Sequence, residues 1–223
     1  MITAECHELG KRFGKTIVFR GVNLRFEGPA VIGIQGANGS GKSTLLKCLS
    51  GLLRPSEGRV TWHIRGKQVK LQQIRYQIGF TAPHIQMYHD LTVSENLSFL
   101  QRVRPALPEP EIPHFADSPD RLAAVTGIGH LADQPYGTLS SGQQQRVRLA
   151  GALVSAPPVL MLDEPGTNLD RDGIALVNDI IIHQKNAGGM VFLASNRQEE
   201  LDLCERIVDL QSLSSTDTRQ VAD

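Results

Sequence analysis

Cysteine is scarce: Cys6, Cys48 and Cys204 are the only three in 223 residues, scattered and odd in number. That excludes a disulfide framework and a cysteine-ligated metal centre, and it points to a reducing compartment. Long apolar runs are missing too. No stretch reaches the ~18 consecutive apolar residues of a membrane span, and Met1 to Glu8 lack the basic and apolar regions of a secretory signal. Neither sign of charge is in excess, with 23 basic and 23 acidic side chains. A broad nucleic-acid footprint needs a basic stripe, so no nucleic-acid partner is expected. The seven histidines form no ligand pair on an apolar helix. What is present is a 40% hydrophobic content, enough for the core of one domain, with room for two lobes.

Glycine, by contrast, is concentrated. Gly36, Ala37, Asn38, Gly39, Ser40, Gly41, Lys42 and Ser43 fit G-x-x-x-x-G-K-[ST], a phosphate-cradling loop. Glycines let backbone N–H groups approach phosphate oxygens, Lys42 supplies a point charge, and Ser43 supplies a hydroxyl for Mg²⁺. An apolar run, Ala30 to Ile34, reads as a buried strand before the loop. Ser43, Thr44 and the residues to Leu49 open a helix after it. Strand, loop and helix N-terminus make an anion site, so the chain binds a nucleoside triphosphate.

The surrounding pattern gives an α/β fold: a P-loop core with a mostly parallel sheet, an N-terminal antiparallel β-subdomain and an inserted helical subdomain. The segment to about Phe26 alternates as antiparallel strands, with turns expected at Gly10, Gly14 and Gly28. Further strands are predicted at Arg59–Trp62, Ile78–Thr81, Val159–Leu162, Met190–Ala194 and Ile207–Leu210. Helices are predicted from Leu91 (Thr92 as N-cap, Glu95 three residues on), over Arg121–Gly127, Gly142–Ser155 and Ile174–Gln184. Pro105, Pro108, Pro110, Pro113 and Pro119 break any helix over 105–119, which reads as an exposed loop. Residues 1–82 and 157–212 are assigned to an ATP-binding core, 83–156 to the helical subdomain and 213–223 to a polar, frayed tail.

Two more segments carry chemistry. Val159 to Leu162 form a strand covered on both faces, and Asp163 and Glu164 follow where ligands of parallel sheets bind. Asp163 holds Mg²⁺ directly or through water, and Glu164 polarises an attacking water. Leu139, Ser140, Ser141, Gly142 and Gln143 then form a serine-glycine turn into a helix, a second anion geometry. One nucleotide does not need two such sites.

Taken together these segments resemble the nucleotide-binding subunits of ATP-binding-cassette (ABC) transporters. Gly36–Ser43 matches the Walker A motif, Leu139–Gln143 the LSGGQ signature, Val159–Glu164 the Walker B motif with its catalytic acid, and Asn168-Leu169-Asp170 the D-loop. The resemblance implies that Ser140, Ser141, Gly142 and Gln143 cap ATP held by a second copy or a second ABC subunit. It implies ATP and Mg²⁺ as cofactors, with Ser43 and Asp163 on the metal. It also implies a separate membrane-spanning partner docked near Leu91–Leu97, and a cytoplasmic location on the inner face of the membrane through that partner. Phe13 sits where the family stacks an aromatic on adenine; the alternative is that it packs in the sheet. The compact length and Trp62 resemble heme-exporter-like subunits of cytochrome c maturation.

Three positions depart from the family. Asn196 replaces the switch histidine; asparagine donates a hydrogen bond but carries no charge, which predicts slow hydrolysis. The lid glutamine is replaced by Pro83 or His84, or by Gln86 in a rearranged loop. Ser141 replaces a signature glycine and is strained if that position needs a positive φ. Of the other function classes, a soluble ABC protein of translation or repair lacks its second cassette or coiled coil here, and a P-loop kinase leaves the signature unexplained. A regulatory subunit that uses ATP chiefly as dimer glue remains as the alternative to a transport ATPase.

Overall fold

Buried and outward side chains alternate from Ile2 to Cys6, and this builds β1 (Ile2–Phe13), which turns at Gly14 (φ 58°) and returns antiparallel as β2 (Thr16–Gly28). The computed structural model describes residues 1–103 and 118–215. The order continues through β3 (Ala30–Gln35), α1 (Lys42–Leu49), β4 (Glu57–Ile64), β5 (Lys67–Val69), α2 (Leu71–Ile74), β6 (Ile78–Thr81), α3 (Val93–Val103) and α4 (Pro119–Val125). Then come α5 (Ser141–Leu153), β7 (Val159–Asp163), α6 (Arg171–Asn186), β8 (Met190–Ala194), α7 (Gln198–Leu201), β9 (Arg206–Asp209) and α8 (Leu210–Ser215).

Two sheets result. One is antiparallel with order β2-β1-β4-β5; the other has order β6-β7-β8-β3-β9 and is parallel at every pairing. β7 and β8 are buried at every residue, as strands covered on both faces must be. Their side chains sort by the two-residue strand period. Ile32, Ile34, Met161, Phe192 and Ala194 face a core shared with the antiparallel sheet and α1. Val31, Leu160, Leu162, Val191 and Leu193 face a second core shared with α3 to α6. In the first core, Phe192 meets Phe26 and Trp62 edge to face, and the Trp62 indole N–H donates to Leu49 O at 2.9 Å.

Most predicted elements stand where the pattern put them, and the exceptions have local causes. Gly10 is not a turn: it lies inside β1 at a register shift against β4, where a Cβ would come within 3.1 Å of Glu57. Pro119 does not break a helix but begins one, at the first position of α4 behind the Ser118 cap, where a missing N–H costs nothing. The other four prolines lie outside the described residues. The chain beyond Ser212 continues α8 to Ser215, and 216–223 lie outside the description. At the start of α3, the Thr92 hydroxyl accepts from the Glu95 N–H and Glu95 accepts from the Thr92 N–H, the reciprocal cap its sequence predicts. β5, α2 and α7 are three or four residues each, too short to show a period in the sequence.

Candidate functional site

The parallel register places the site. Ile34, Ala194 and Asp163 lie side by side across β3, β8 and β7. The residues that follow them therefore emerge at one carboxyl edge: the glycine loop from Gly36, Glu164 after β7, and Asn196 after β8. This is where open parallel sheets bind ligands.

The loop's glycines are used as predicted. Gly36, Gly39 and Gly41 have φ of 154°, 81° and 102°, and a Cβ on Gly41 would come within 2.5 Å of Val18. Gly41 caps α1 without any side-chain hydrogen bond, so the first N–H groups of the helix face the loop. Lys42 is buried, and its ammonium donates to Gly36 O at 2.7 Å and Ala37 O at 3.2 Å. Ser43 and Thr44 follow on the first turn of α1. Two buried oxygens near this edge have no partner among the described residues, Ser40 Oγ and Asp163 Oδ1. A buried carboxylate oxygen left unpaired is costly unless a cation or donor meets it. Asp163 with the Ser43 hydroxyl is a hard oxygen donor set that fits Mg²⁺, an ion that takes few protein ligands. Among the described residues no group of three His, Cys, Asp or Glu side chains is placed to hold a metal alone.

Glu164 adopts φ 49°, a left-handed conformation uncommon for a residue with a side chain. Its N–H donates to Ala194 O at 2.8 Å, and its carbonyl accepts from Thr167 N–H at 3.2 Å. Asn196 reaches across to the glycine loop and donates to Asn38 Oδ1 at 2.6 Å. Asn38, Glu164, Asn168 and Asn196 line one cavity of about 370 Å³, and none of Ser140, Ser141, Gly142 or Gln143 joins them.

Those signature residues sit at the start of α5. Ser140 caps the helix: its Oγ accepts from Gln143 N–H at 3.3 Å, and Gln143 Oε1 accepts from Ser140 N–H at 2.9 Å. Ser141 is the first helical residue and has no positive φ, so the expected strain does not arise. Gly142 is needed within its own chain, because a Cβ there would lie 2.9 Å from Asn168 O. Arg146 and Gly173 N–H both bind Asp170, which holds that carboxyl below its usual range, the Gly173 bond first and Arg146 second.

The lid loop resolves in part. Gln86 Oε1 lies 3.1 Å from His89 Nε2, and Gln86 lines a groove between the lobes. His84 lies within electrostatic reach of Asp163. Burial holds its pKa down, the Lys47 cation adds to that, and Asp163 pulls the other way. Phe13 is about half exposed with the Lys11 ammonium 4.9 Å from its ring centre, so it is not packed into the sheet. Sequence reasoning missed Gln145 and Arg197, which reach the backbone just after Glu164. Gln145 stood only two residues beyond the signature; no local pattern marked Arg197.

Comparison with known proteins identifies the family. The family described as ABC transporter matches residues 19–167. The cytochrome c biogenesis ATP-binding export protein CcmA of Agrobacterium fabrum is 33% identical over 92% of this chain and 93% of its own length. The sulfate/thiosulfate import ATP-binding protein CysA of Nitrosomonas europaea is 32% identical over 93% of this chain, which spans only 58% of that longer relative. Among solved structures, cbiO1 of Clostridium perfringens, part of the ABC transporter complex cbiONQ, is 31% identical with a TM-score of 0.68, covering 92% of this chain and 83% of its own. A dimeric ATP-binding cassette bound to ADP and Pi shares the fold, with a TM-score of 0.76 over 92% and 93% of the two chains at 24% identity. The chain belongs to the ABC transporter family, among relatives that are ATP-binding proteins.

Proposed function

We propose that this chain hydrolyses ATP to power a separate membrane-spanning partner, and that it does so by ATP-driven pairing with a second copy or a second ABC subunit. One observation carries the reading. The cavity beside Glu164 is lined by Asn38, Asn168 and Asn196 and by none of Ser140, Ser141, Gly142 or Gln143, which supports a site that a second chain completes. The serine-glycine start of α5 is then free to meet the γ-phosphate on the partner copy.

In this reading the glycine loop and Lys42 bind the β- and γ-phosphates, and Phe13 stacks on adenine. Ser43 and Asp163 would hold Mg²⁺, which would supply positive charge against the phosphates. Glu164 orients a water on the γ-phosphate and takes its proton as the new P–O bond forms and the bond to ADP breaks. Asn196 donates to the transferring phosphoryl group as a neutral group, so turnover is slow. Replacing Glu164 by Gln keeps the shape and removes the base. Steady-state phosphate release should fall by about 100-fold or more while ATP still binds. Unchanged release would reject Glu164 as the base and favour the alternative, a regulatory subunit in which ATP acts as dimer glue.

The partner reading rests on α3 and α5 and on the groove beside them. Leu52, Phe80, Ile85, Met87 and Leu100 line that groove, with Arg75 at its edge. Tyr88 and Phe99 stand exposed and in contact at 5.1 Å. An exposed apolar groove of this kind marks a docking site for an apolar segment. No helix among the described residues is long and apolar enough to cross a membrane. A place on the cytoplasmic face of the membrane follows from the partner.

A further inference from the structure

The loop that carries Glu164 is held from two sides by side chains that lie outside the glycine loop. From α5, Gln145 Nε2 donates to Pro165 O at 2.8 Å. From the segment after Asn196, Arg197 Nη1 donates to Gly166 O at 3.1 Å. Pro165 and Gly166 are the two residues that follow Glu164, so consecutive carbonyls are each gripped by a donor from a different element.

Each donor is itself held. Gln145 is 1% exposed, and its Oε1 accepts two bonds from the Arg148 guanidinium, at 3.0 and 2.6 Å. Arg148 donates in turn to the Tyr136 hydroxyl at 2.8 Å, and it also lines the groove between the lobes. Arg197 faces Glu200 at 3.9 Å. Glu200 is 2% exposed, and neither of its oxygens has a hydrogen bond among the described residues, so Arg197 is its countercharge. Gly166 has to be glycine for this arrangement: a Cβ there would lie 2.2 Å from Glu200 Oε1 and 2.7 Å from Arg197 Nη1.

We infer that Gln145 and Arg197 form a two-sided clamp that positions Glu164 for hydrolysis, with Arg148 and Glu200 holding its jaws. The physical need is visible in the backbone. Glu164 sits at φ 49°, a conformation that persists only when its surroundings fix it. Strand pairing holds its N–H, but nothing in β7 or β8 holds the chain beyond it. The clamp also joins the two elements that act on nucleotide from either side, the signature helix and the switch segment. It continues through Arg148 to the groove where the partner is placed. The inference rests on Glu164 being the hydrolytic acid.

The test uses variants that each remove one donor; because Arg197→Met also removes the countercharge of Glu200, it is read beside Arg197→Lys, which keeps that charge. Gln145→Glu loses the N–H donor to Pro165 but keeps an acceptor for Arg148, so the buried guanidinium stays paired. Arg197→Met loses the donor to Gly166; Arg197→Lys keeps one. Two quantities are measured: steady-state ATP hydrolysis, and hydrogen exchange at the amides of Glu164, Thr167 and Leu169. The clamp predicts that kcat falls about tenfold or more in Gln145→Glu and Arg197→Met with KM for ATP unchanged. It predicts faster exchange at those three amides, and partial recovery of both in Arg197→Lys. Unchanged exchange overturns it. So does faster exchange with unchanged kcat, or a kcat loss that only matches a loss of ATP-binding chains. If the parent chain shows no Glu164-dependent hydrolysis, the functional reading fails separately, and exchange alone decides whether the clamp holds the loop.

Discussion

The glycine loop after β3 and the start of α5 are both proposed as phosphate sites, yet they are finished differently. The loop is built with demands unmet. Its three glycines carry positive φ, Gly41 caps α1 with no side chain, and Ser40 Oγ, like Asp163 Oδ1 at the end of β7, is buried without a partner among the described residues. The start of α5 is satisfied within itself, because Ser140 and Gln143 cap each other's N–H groups. A preorganised, unpaired site binds first. In the proposed pairing, the self-capped site adds its donors when a second chain brings it a phosphate.

The sharpest way to break this comparison is to remove charge from the loop. Lys42→Ala should lower affinity for a non-hydrolysable ATP analogue by about 10- to 100-fold, since a hydrogen bond from a charged group contributes ~1.5–3 kcal/mol. Calorimetric titration checks it. Next is Asn196→His, which restores a donor able to carry charge. Loss of a full preorganised donor costs ~2.7–4 kcal/mol elsewhere, so a partial substitute predicts a rate gain of about tenfold in steady-state hydrolysis. An unchanged or lower rate would reject this account of Asn196.

A smaller effect comes from the other side of the comparison. Ser140→Ala removes the α5 cap and should cost about 1 kcal/mol in urea unfolding, while the affinity of the lone chain for ATP stays the same. If monomer affinity fell as well, the two regions would not be separate. The smallest effect lies outside both. Burial pushes the Cys6 thiol up to about 12 and those of Cys48 and Cys204 up to about 11, from 9.0. The unfolded chain therefore gives up these protons first. Their contribution to stability is intact below about pH 9 and is lost as pH rises toward the folded values. The urea midpoint should drop between about pH 9 and about pH 11, and Cys48→Ala should make that drop shallower.

The same two regions show what a sequence can disclose. The loop was legible because glycine, lysine and serine at fixed spacing have few other uses, and because Ala30–Ile34 and Val159–Leu162 are apolar enough to be strands buried on both faces. The reach of Asn196 to Asn38 and of Gln145 to Pro165 was not legible. Each spans elements distant in the chain, and only the sheet register and the packing of α5 bring them together. Gly10 misled because a glycine in a strand irregularity looks locally like one in a turn. Ser141 misled in the opposite sense: its position is the first turn of a helix, which serine tolerates without strain.

The central claim is that one chain holds half of each site and that nucleotide completes the site by pairing chains. The most direct measurement is the solution mass of Glu164→Gln with Mg-ATP, by light scattering on a sizing column. Twice the chain mass, falling to a single chain when ATP is withdrawn, is the predicted result. A single-chain mass with one ATP bound per chain, unchanged when a second ABC subunit is supplied, would contradict it.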